Sequence, residues 1–264
     1  MSNRLATDYS TVTELPGGRA SGQQAARLRH RYQLAALHAA GRDVLEVGCG
    51  AGLGLGWLSG QARRLVGGDY CWSNLRTAQR HYNGRVPLLR FDAAALPFRA
   101  SSFEVVVMFE TLYYLPRPGA FIAECRRVLR PGGLVVIGAV NPAWSGFHPS
   151  PHARRYFSAA ELRELLAAGG LRAELAGGFR EAWSWRGRLA AWLKRGASKA
   201  GLIPKTMRGR EPLKRIFCGP LETLPAEIHP NEFEFVPPVS IDPAQPNGDY
   251  SVLYALGRNH SQQL

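Results

Sequence analysis

The sequence predicts an α/β fold with a mostly parallel sheet and helices on both faces. Three observations support this prediction. Short apolar runs alternate with segments of helical periodicity. The first run, DVLEV at 43–47, breaks into glycines at alternate positions, and the second run ends on an acid, Asp69. A strand and a tight glycine turn that face an acidic side chain are how α/β proteins hold a ribose-bearing cofactor.

The apolar runs predict five strands, with helices between them. The strands are expected near 43–48, 64–69, 86–91, 103–109 and 133–140. Ser73 begins one of the intervening helices and Pro118 another, while Pro131 stops the helix before the fifth strand.

Further elements flank these five alternations. Residues 20–41 carry apolar side chains at helical spacing and end on Gly41, a typical C-cap residue. Residues 159–179 predict a helix followed by a strand, and YSVLYALGR at 250–258 predicts the final strand. About seventy residues before that strand have no place in the alternating pattern.

The glycine turn argues against a dinucleotide cofactor. Gly48, Gly50 and Gly52 can take positive φ and let a ligand lie against the backbone. The dinucleotide fingerprint requires its third glycine at position 53, which is Leu53. Glu46, just before the turn, would also repel a phosphate.

Four motifs in order carry a family resemblance. They are EVGCGAG at 46–52, FDAAALPF at 91–98, FEVVVMFETLYYLP at 103–116 and GAFIAECRRVLRPGGLVVIGA at 119–139. Together with Asp69, they resemble the motifs of class I S-adenosylmethionine-dependent methyltransferases, over roughly residues 25–180. The resemblance implies a Rossmann-like seven-stranded sheet whose last strand is antiparallel. It also implies S-adenosyl-L-methionine as the cofactor.

The resemblance assigns cofactor contacts by position. Asp69 would accept both ribose hydroxyls, Tyr70 would pack on the adenine, and Asp92 would accept from the adenine amino group with Ala93 supplying an N–H. Phe109 would border the transferable methyl. The methionine and ribose portions would lie on the glycine turn and near two charged residues. This second set comprises Arg31, Glu46, Gly48, Cys49, Gly50 and Gly52.

An acceptor with a hydroxyl or amine nucleophile needs a group that takes its proton. The candidates near the expected methyl are Glu110 and the tyrosines Tyr113 and Tyr114. His148 and His152, in GFHPSPHARRY, are further candidates because histidine titrates near neutral pH. Each histidine could equally be a loop residue without a catalytic role.

Composition narrows the class of protein. The 264 residues contain no run of about 20 apolar residues that would span a bilayer, and the first residues lack an apolar signal region. The four cysteines are scattered, so we expect free thiols, no disulfide and no metal site. A cytoplasmic enzyme is the simplest expectation.

The basic charge is concentrated in one segment. The formal net charge is +13, and residues 180–215 contain eleven Lys and Arg against two Glu, or 11 − 2 = +9. Tryptophans and other apolar residues of 185–200 share one face at helical spacing. The stretch 185–215 could contact an anionic membrane peripherally, dock an acidic carrier or a nucleic acid, or form an ordinary lid. Tryptophan mixed with basic residues favours the membrane over nucleic acid.

The domain prediction follows from these segments. It comprises an N-terminal segment with a cofactor-covering helix (1–42), a methyltransferase core (43–179), a basic substrate or lid insertion (180–249) and the final core strand with its tail (250–264).

The predicted function is methyl transfer to an O or N nucleophile of a small-molecule, lipid-linked or carrier-bound acceptor. Three alternatives stay open. They are an RNA methyltransferase that uses the basic insertion, a non-catalytic S-adenosylmethionine-binding protein, and a dehydrogenase on a similar sheet. The sequence does not predict the oligomeric state.

Overall fold

Alternating side chains of one central strand separate two hydrophobic layers. In the computed structural model, which describes residues 8–180, 220–230 and 234–260, the strand Asp43–Val47 is buried along its whole length. Val44 packs into one apolar cluster and Leu45 into another on the opposite face. A strand buried on both faces needs helices on both sides of its sheet.

Ten strands and five α-helices are formed by the described residues. The strands are β1 (Arg19–Ser21), β2 (Asp43–Val47), β3 (Arg64–Asp69), β4 (Leu88–Arg90), β5 (Phe103–Phe109), β6 (Leu129–Val140), β7 (Arg172–Arg180), β8 (Leu221–Thr223), β9 (Val239–Ser240) and β10 (Tyr250–Arg258). The helices are α1 (Gly22–Ala39), α2 (Leu55–Gln61), α3 (Trp72–Tyr82), α4 (Pro118–Val128) and α5 (Ala159–Ala168).

The main sheet has the strand order β4-β3-β2-β5-β6-β10-β7-β9. Strands β2 to β6 run parallel to one another, whereas β10 is antiparallel to both β6 and β7. Helices α1 to α3 contribute to one apolar cluster, and α4 and α5 to the other. The predicted α/β fold, with a mostly parallel sheet and an antiparallel final strand, is confirmed.

The sheet has eight strands rather than the seven that the family resemblance implies. The additional strand, β9, pairs with β7 through two residues only. Pro237 and Pro238 precede it, so no apolar run in the sequence predicted this strand. Strand β9 covers part of an edge that β7 would otherwise expose.

Two strands differ in length from the prediction. β4 is shorter than the predicted run 86–91, and β6 begins at Leu129 rather than near 133. Leu129 pairs with Phe103, and the register shifts before Val105, so the Arg-Pro-Gly-Gly turn lies within the ladder. Gly132 donates to the carbonyl oxygen of Asn259, which holds this turn against the end of β10.

Helix α1 begins at a capping box. Ser21 N–H donates to Gln24 Oε1, and Gln24 N–H donates to Ser21 Oγ, at 3.2 and 3.3 Å. These bonds satisfy two of the otherwise unpaired N–H groups at the helix start. The cap fixes the position from which α1 extends along the sheet. None of the helices in the described ranges has the length and hydropathy required to cross a membrane.

Candidate active site

The glycine turn follows β2 at the carboxyl end of the sheet. Gly48 and Cys49 donate their N–H groups to the carbonyl oxygen of Gly68 at 2.8 and 3.0 Å. Gly48 has φ +77° and Gly50 has φ +57°, which are conformations that favour glycine. A Cβ on Gly48 would lie 2.5 Å from Thr111 Oγ1, so a side chain has no room there. The turn therefore presents bare backbone.

Asp69 ends β3, and its carboxylate faces that turn. Oδ2 accepts from the Gly50 N–H at 2.8 Å, and Oδ1 accepts from the Cys71 N–H at 2.7 Å. Burial raises the pKa of Asp69, while these backbone donors act in the opposite direction. Each carboxylate oxygen has acceptor capacity for a further donor. The backbone thus fixes Asp69 in a position to accept hydrogen bonds from a ligand.

Glu46 is a buried carboxyl group just before the glycine turn. Tyr32 on α1 donates its hydroxyl hydrogen to Glu46 Oε1 at 2.6 Å. Oε2 is buried and has no hydrogen-bond partner in the described part of the chain. Burial raises the pKa of Glu46 to about 7, against the opposing effects of the Tyr32 bond and the Arg31 charge. Near neutral pH, Glu46 can hold a proton or accept from a cation.

Arg31 is a buried cation beside Tyr32 on the same helix. Its side chain is 6% exposed. Nη2 donates to Glu14 Oε2 at 2.7 Å, and Nη1 lies 3.5 Å from Glu110 Oε1. Nε is buried and has no hydrogen-bond partner among residues 8–180, 220–230 and 234–260. The guanidinium therefore keeps its Nε–H for a further acceptor.

Glu110 follows β5 in a strained backbone conformation, with φ +47°. Its Oε2 accepts from the Tyr113 hydroxyl at 2.9 Å and from the Val140 N–H at 3.3 Å. Burial raises the pKa of Glu110, with the Arg31 charge opposing it, and burial raises the pKa of Tyr113 well above its usual value. Tyr113 therefore stays protonated and donates a hydrogen bond to Glu110.

The residues predicted at the adenine end follow β3 and β4, which are neighbouring parallel strands. Tyr70 is 45% exposed, and the Arg90 guanidinium lies 5.5 Å from the centre of its ring. Asp92 is exposed and accepts from the Ala94 N–H at 2.8 Å, while Ala93 is buried. An exposed aromatic ring next to a carboxylate is compatible with a planar, hydrogen-bonding ligand.

A short N-terminal segment crosses the site. We call residues 8–16 the strap. Its Asp8 accepts from Ser73 Oγ at 2.9 Å, and its Thr13 accepts from Asn74 Nδ2 at 2.9 Å. A Cβ on Gly50 would lie 3.0 Å from Thr13 Cγ2, so the strap lies directly against the glycine turn.

The strap continues to the loop that holds the two candidate histidines. Tyr9 packs against the rings of Tyr114 and His152, with centroids 5.2 and 6.0 Å apart. His152 Nε2 lies 3.4 Å from Thr11 Oγ1. His148 is half-buried in the same loop. Of these catalytic candidates, His152 therefore contacts the strap, whereas Tyr113 hydrogen-bonds to Glu110.

Comparisons with known proteins identify this arrangement. Residues 45–137 match the family described as "Methyltransferase domain". A Mycolicibacterium smegmatis protein named "Probable S-adenosylmethionine-dependent methyltransferase" is 39% identical over 145 residues, which are 53% of this chain and 55% of that protein. Residues 45–137 are thus a methyltransferase domain, and the curated relatives that match this part of the chain are named S-adenosylmethionine-dependent methyltransferases. The chain spans about half the length of the curated relatives it matches.

Two further similarities were found, one to a curated protein and one to a solved structure. The Mycobacterium ulcerans "Phthiotriol/phenolphthiotriol dimycocerosates methyltransferase 1" is 35% identical over 117 residues, 42% of this chain and 43% of that protein. The solved structure of the [4+2]-cyclase SpnF aligns with a TM-score of 0.61 and 19% identity, over 96% of this chain and 94% of that chain. At that identity, the match shows the fold alone.

The residues of the methyltransferase domain fit S-adenosylmethionine on two observations. The turn takes positive φ at Gly48 and Gly50, and the Gly50 N–H holds the Asp69 carboxylate beside it. Four carboxyl groups, Glu14, Glu46, Asp69 and Glu110, surround the turn together with Arg31, and Glu46 Oε2 has no partner in the described ranges. An acid-rich site that retains an unpaired buried oxygen suits a ligand with a positive sulfonium and ammonium.

The sequence patterns did not predict the strap as part of the site. No periodicity marks residues 8–16; the isolated acid Glu14 ahead of Pro16 was the available signal. Of the neighbours of Arg31 on α1, His30 turns away from the site: its Nδ1 lies 2.7 Å from Tyr254 Oη and its Nε2 lies 2.8 Å from the Val236 carbonyl oxygen. The predicted basic helix and the stretch 185–215 both lie within residues 181–219, which are outside the described ranges.

The predicted roles of the cofactor and catalytic residues stay predictions, as do the proposed domain boundaries. Phe109, expected beside the methyl, is buried and packs edge-on against Tyr32 with ring centres 5.5 Å apart. Cys49 is buried, as are Cys71 and Cys125, and all three are free thiols. Gly52 lies within the same turn, and its N–H donates to the Cys49 carbonyl oxygen.

Proposed function

We propose that this chain transfers a methyl group from S-adenosylmethionine to an oxygen or nitrogen nucleophile. The observation that carries the proposal is the 2.8 Å hydrogen bond from Gly50 N–H to Asp69 Oδ2. It places a carboxylate directly opposite bare backbone at the carboxyl ends of two parallel strands, where open α/β sheets bind their ligands.

The chain's own residues would hold the cofactor as follows. Asp69 accepts from the ribose hydroxyls, because a carboxylate takes two hydrogen bonds at once. Tyr70, Asp92 and Ala93 serve the adenine. The glycine turn, Glu46 and Arg31 serve the methionine portion. The bound cofactor supplies a methyl group that is activated by the positive charge on its sulfur.

Proton removal is assigned to Tyr113 and Glu110. The Tyr113 hydroxyl already donates to Glu110 Oε2 at 2.9 Å. An acceptor hydroxyl that donates to Tyr113 Oη would lose its proton to that oxygen as the Tyr113 proton moves to Glu110 Oε2. Arg31, 3.5 Å from Glu110 Oε1, favours the ionised form of Glu110 at the start of this transfer.

The acceptor is proposed to be a small or lipid-linked molecule with an apolar or ring-bearing portion. Beside Glu110, five rings pack one against the next at centroid distances of 4.5 to 5.2 Å, in the order Tyr9, Tyr114, Tyr113, Tyr156 and Phe147. Such half-buried aromatic walls bind apolar and planar groups. The lipid named in the Mycobacterium ulcerans relative supports the same class.

Ligand binding and turnover test the proposal. Isothermal titration calorimetry should show binding of S-adenosylmethionine and S-adenosylhomocysteine and no binding of NAD. Asp69→Asn should abolish the binding, whereas Asp242→Asn, in the loop after β9, should not change it. Production of S-adenosylhomocysteine is then measured with phenols, hydroxylated lipid extracts and total RNA.

The turnover result separates the alternatives. Product with phenols or lipid extracts supports the proposal, and product with RNA alone supports an RNA methyltransferase. Cofactor binding without turnover on any acceptor supports a non-catalytic role. NAD binding in place of S-adenosylmethionine overturns the assignment.

Peripheral contact with an anionic membrane through residues 185–215 is a separate part of the proposal. It rests on the excess of positive charge and the tryptophans in that stretch. Co-sedimentation with vesicles that contain anionic lipid, compared with neutral vesicles, tests it at low salt. Equal recovery with both would exclude this contact.

A further inference from the structure

Glu14 on the strap is the carboxylate most closely tied to Arg31. Its Oε2 accepts from Arg31 Nη2 at 2.7 Å, whereas Glu110 Oε1 lies 3.5 Å from Nη1. The Arg31 side chain is 6% exposed and that of Glu14 is 31% exposed. The ion pair is therefore buried on the helix side and open on the strap side.

Both members of this pair have unused hydrogen-bonding capacity. Arg31 Nε is buried without a partner in the described ranges, and Glu14 accepts through only one of its two oxygens there. A buried N–H without an acceptor is unfavourable, so a ligand that supplies the acceptor is favoured. A donor and an acceptor are thus left side by side.

The position of the pair identifies the ligand group. Thr13, the neighbour of Glu14, packs on Gly50 of the glycine turn, and Arg31 also reaches Glu110 after β5. The pair therefore lies between the glycine turn and the proposed methyl-transfer position. A group that carries a carboxylate and an ammonium on one carbon matches the free N–H and the free oxygen.

On the basis of the proposed cofactor, we propose that Glu14 is a binding residue for the amino-acid end of S-adenosylmethionine. Arg31 Nε donates to the cofactor's carboxylate, and Glu14 accepts from its ammonium group while it stays paired with Arg31. Because Glu14 belongs to the strap, this contact makes closure of the strap depend on the amino-acid end of the ligand.

Retention of Glu14 is favoured over its displacement. Displacement would break the 2.7 Å ion pair between Glu14 and the buried Arg31 guanidinium, which is unfavourable. The strap carboxylate therefore completes the site rather than blocks it.

Two ligands that differ only at the amino-acid end test the proposal. S-adenosylhomocysteine and 5′-methylthioadenosine share the adenine, ribose and thioether, but the second lacks the carboxylate and ammonium. Their affinities are measured by titration calorimetry for the wild type, Glu14→Gln, Glu14→Asp and Asp8→Asn. Asp8→Asn is the matched control, because it removes a strap carboxylate that binds Ser73 rather than Arg31.

We expect Glu14→Gln to weaken S-adenosylhomocysteine binding about tenfold or more, as for loss of a hydrogen bond to a charged group, and to leave 5′-methylthioadenosine binding unchanged. Glu14→Asp should retain part of the lost affinity, and Asp8→Asn should change both affinities by the same factor. Retained 5′-methylthioadenosine binding also shows that each variant is folded.

Hydrogen exchange provides a second measurement. S-adenosylhomocysteine, but not 5′-methylthioadenosine, should slow exchange of the backbone amides of residues 9–15 in the wild type, and Glu14→Gln should remove this protection. Equal effects of Glu14→Gln on both ligands, or unchanged or tighter S-adenosylhomocysteine binding, would refute the role of Glu14. If neither ligand bound the wild type, the proposed function itself would fail.

Discussion

Tyr32 and Glu46 join helix α1 to the strand that precedes the glycine turn, through a 2.6 Å hydrogen bond between the phenol and Oε1. This bond is buried at both ends, since Tyr32 is 5% and Glu46 1% exposed. It fixes the orientation of a carboxyl group whose second oxygen is available for a cationic ligand. The helix therefore acts on the site through Glu46 as well as through Arg31.

Tyr32→Phe should destabilise the protein and weaken cofactor binding. The change leaves both oxygens of a buried carboxyl group without a donor among the described residues, which costs about 1–3 kcal/mol of unfolding free energy. Urea denaturation and titration with S-adenosylhomocysteine measure the two effects. Tyr250→Phe, which removes a hydroxyl at the start of β10, is the control; an equal loss in both variants would contradict a specific role for the Tyr32 bond.

The stability contributed by Glu46 should depend on pH. Its pKa in the folded state is raised from 4.5 to about 7, so the folded state binds the proton more tightly than the unfolded state. The associated stability is fully present below pH 4.5 and is lost as the pH rises through 7. At about 1.4 kcal/mol per pKa unit, the loss is roughly 3 kcal/mol.

Glu46→Gln should remove this part of the pH dependence. Urea denaturation of the wild type and the variant between pH 5 and 8 gives the difference in unfolding free energy at each pH. The variant should gain stability relative to the wild type as the pH increases. A difference that is constant over this range would show that Glu46 titrates normally.

Gly50→Ala should weaken cofactor binding by at least about tenfold, since a left-handed backbone and the Thr13 contact at 3.0 Å both oppose a side chain. Gly60→Ala is the matched control within α2, where no atom lies within 4 Å of the added Cβ. That change should be neutral or stabilising by up to about 1 kcal/mol. Titration calorimetry and thermal melting compare the two, and equal cofactor affinity would disprove the steric argument.

Asp43→Asn should lower the stability of the protein without changing its affinity for the cofactor. Asp43 is 1% exposed and pairs with Arg63, Arg64 and Arg130 at 2.6 to 2.9 Å, at the opposite end of β2 from the glycine turn. Removing one partner from such a network costs roughly 3 kcal/mol of unfolding free energy. Cofactor affinity of the folded variant should equal that of the wild type; a reduced affinity would indicate coupling along β2.

Tyr113→Phe should lower turnover without changing cofactor affinity. The substitution removes the hydroxyl that donates to Glu110, and loss of a proton-transfer group typically costs about 10²–10⁴ in rate. Tyr156→Phe, whose ring packs on Tyr113 at 4.7 Å, is the control. Single-turnover formation of S-adenosylhomocysteine with an active acceptor measures both; similar rates in both variants would remove Tyr113 from the proton path.

Local patterns sufficed to predict most of the fold. The apolar residues Val44, Leu45 and Val47 predict a strand that is buried on both faces. The glycines that follow mark the end of this strand. Pro118 likewise marks a helix start that the structure forms, and α3 begins at Trp72, one residue before the predicted start at Ser73. The two-residue strand β9 had no such signal, because its pairing depends on the exposed edge of β7 rather than on its own sequence.

Contacts between distant segments account for what the sequence could not predict in the site. The Glu14–Arg31 ion pair joins residues 17 apart, and Thr11 reaches a histidine 141 residues away. Neither spacing follows a helical or strand period. The positions of Asp69 and the glycine turn, by contrast, follow from strand ends and are readable from the sequence alone.

Strand β10 is inserted between β6 and β7, although it is made after both of them. Until residues 250–258 leave the ribosome, the backbone groups of β6 and β7 that it will pair with lack their partner. A nascent chain that has completed the glycine turn and Asp69 thus still has a gap through the middle of its sheet. Cooperative folding of the newly made protein therefore requires completion of the last strand and not only of the ligand pocket.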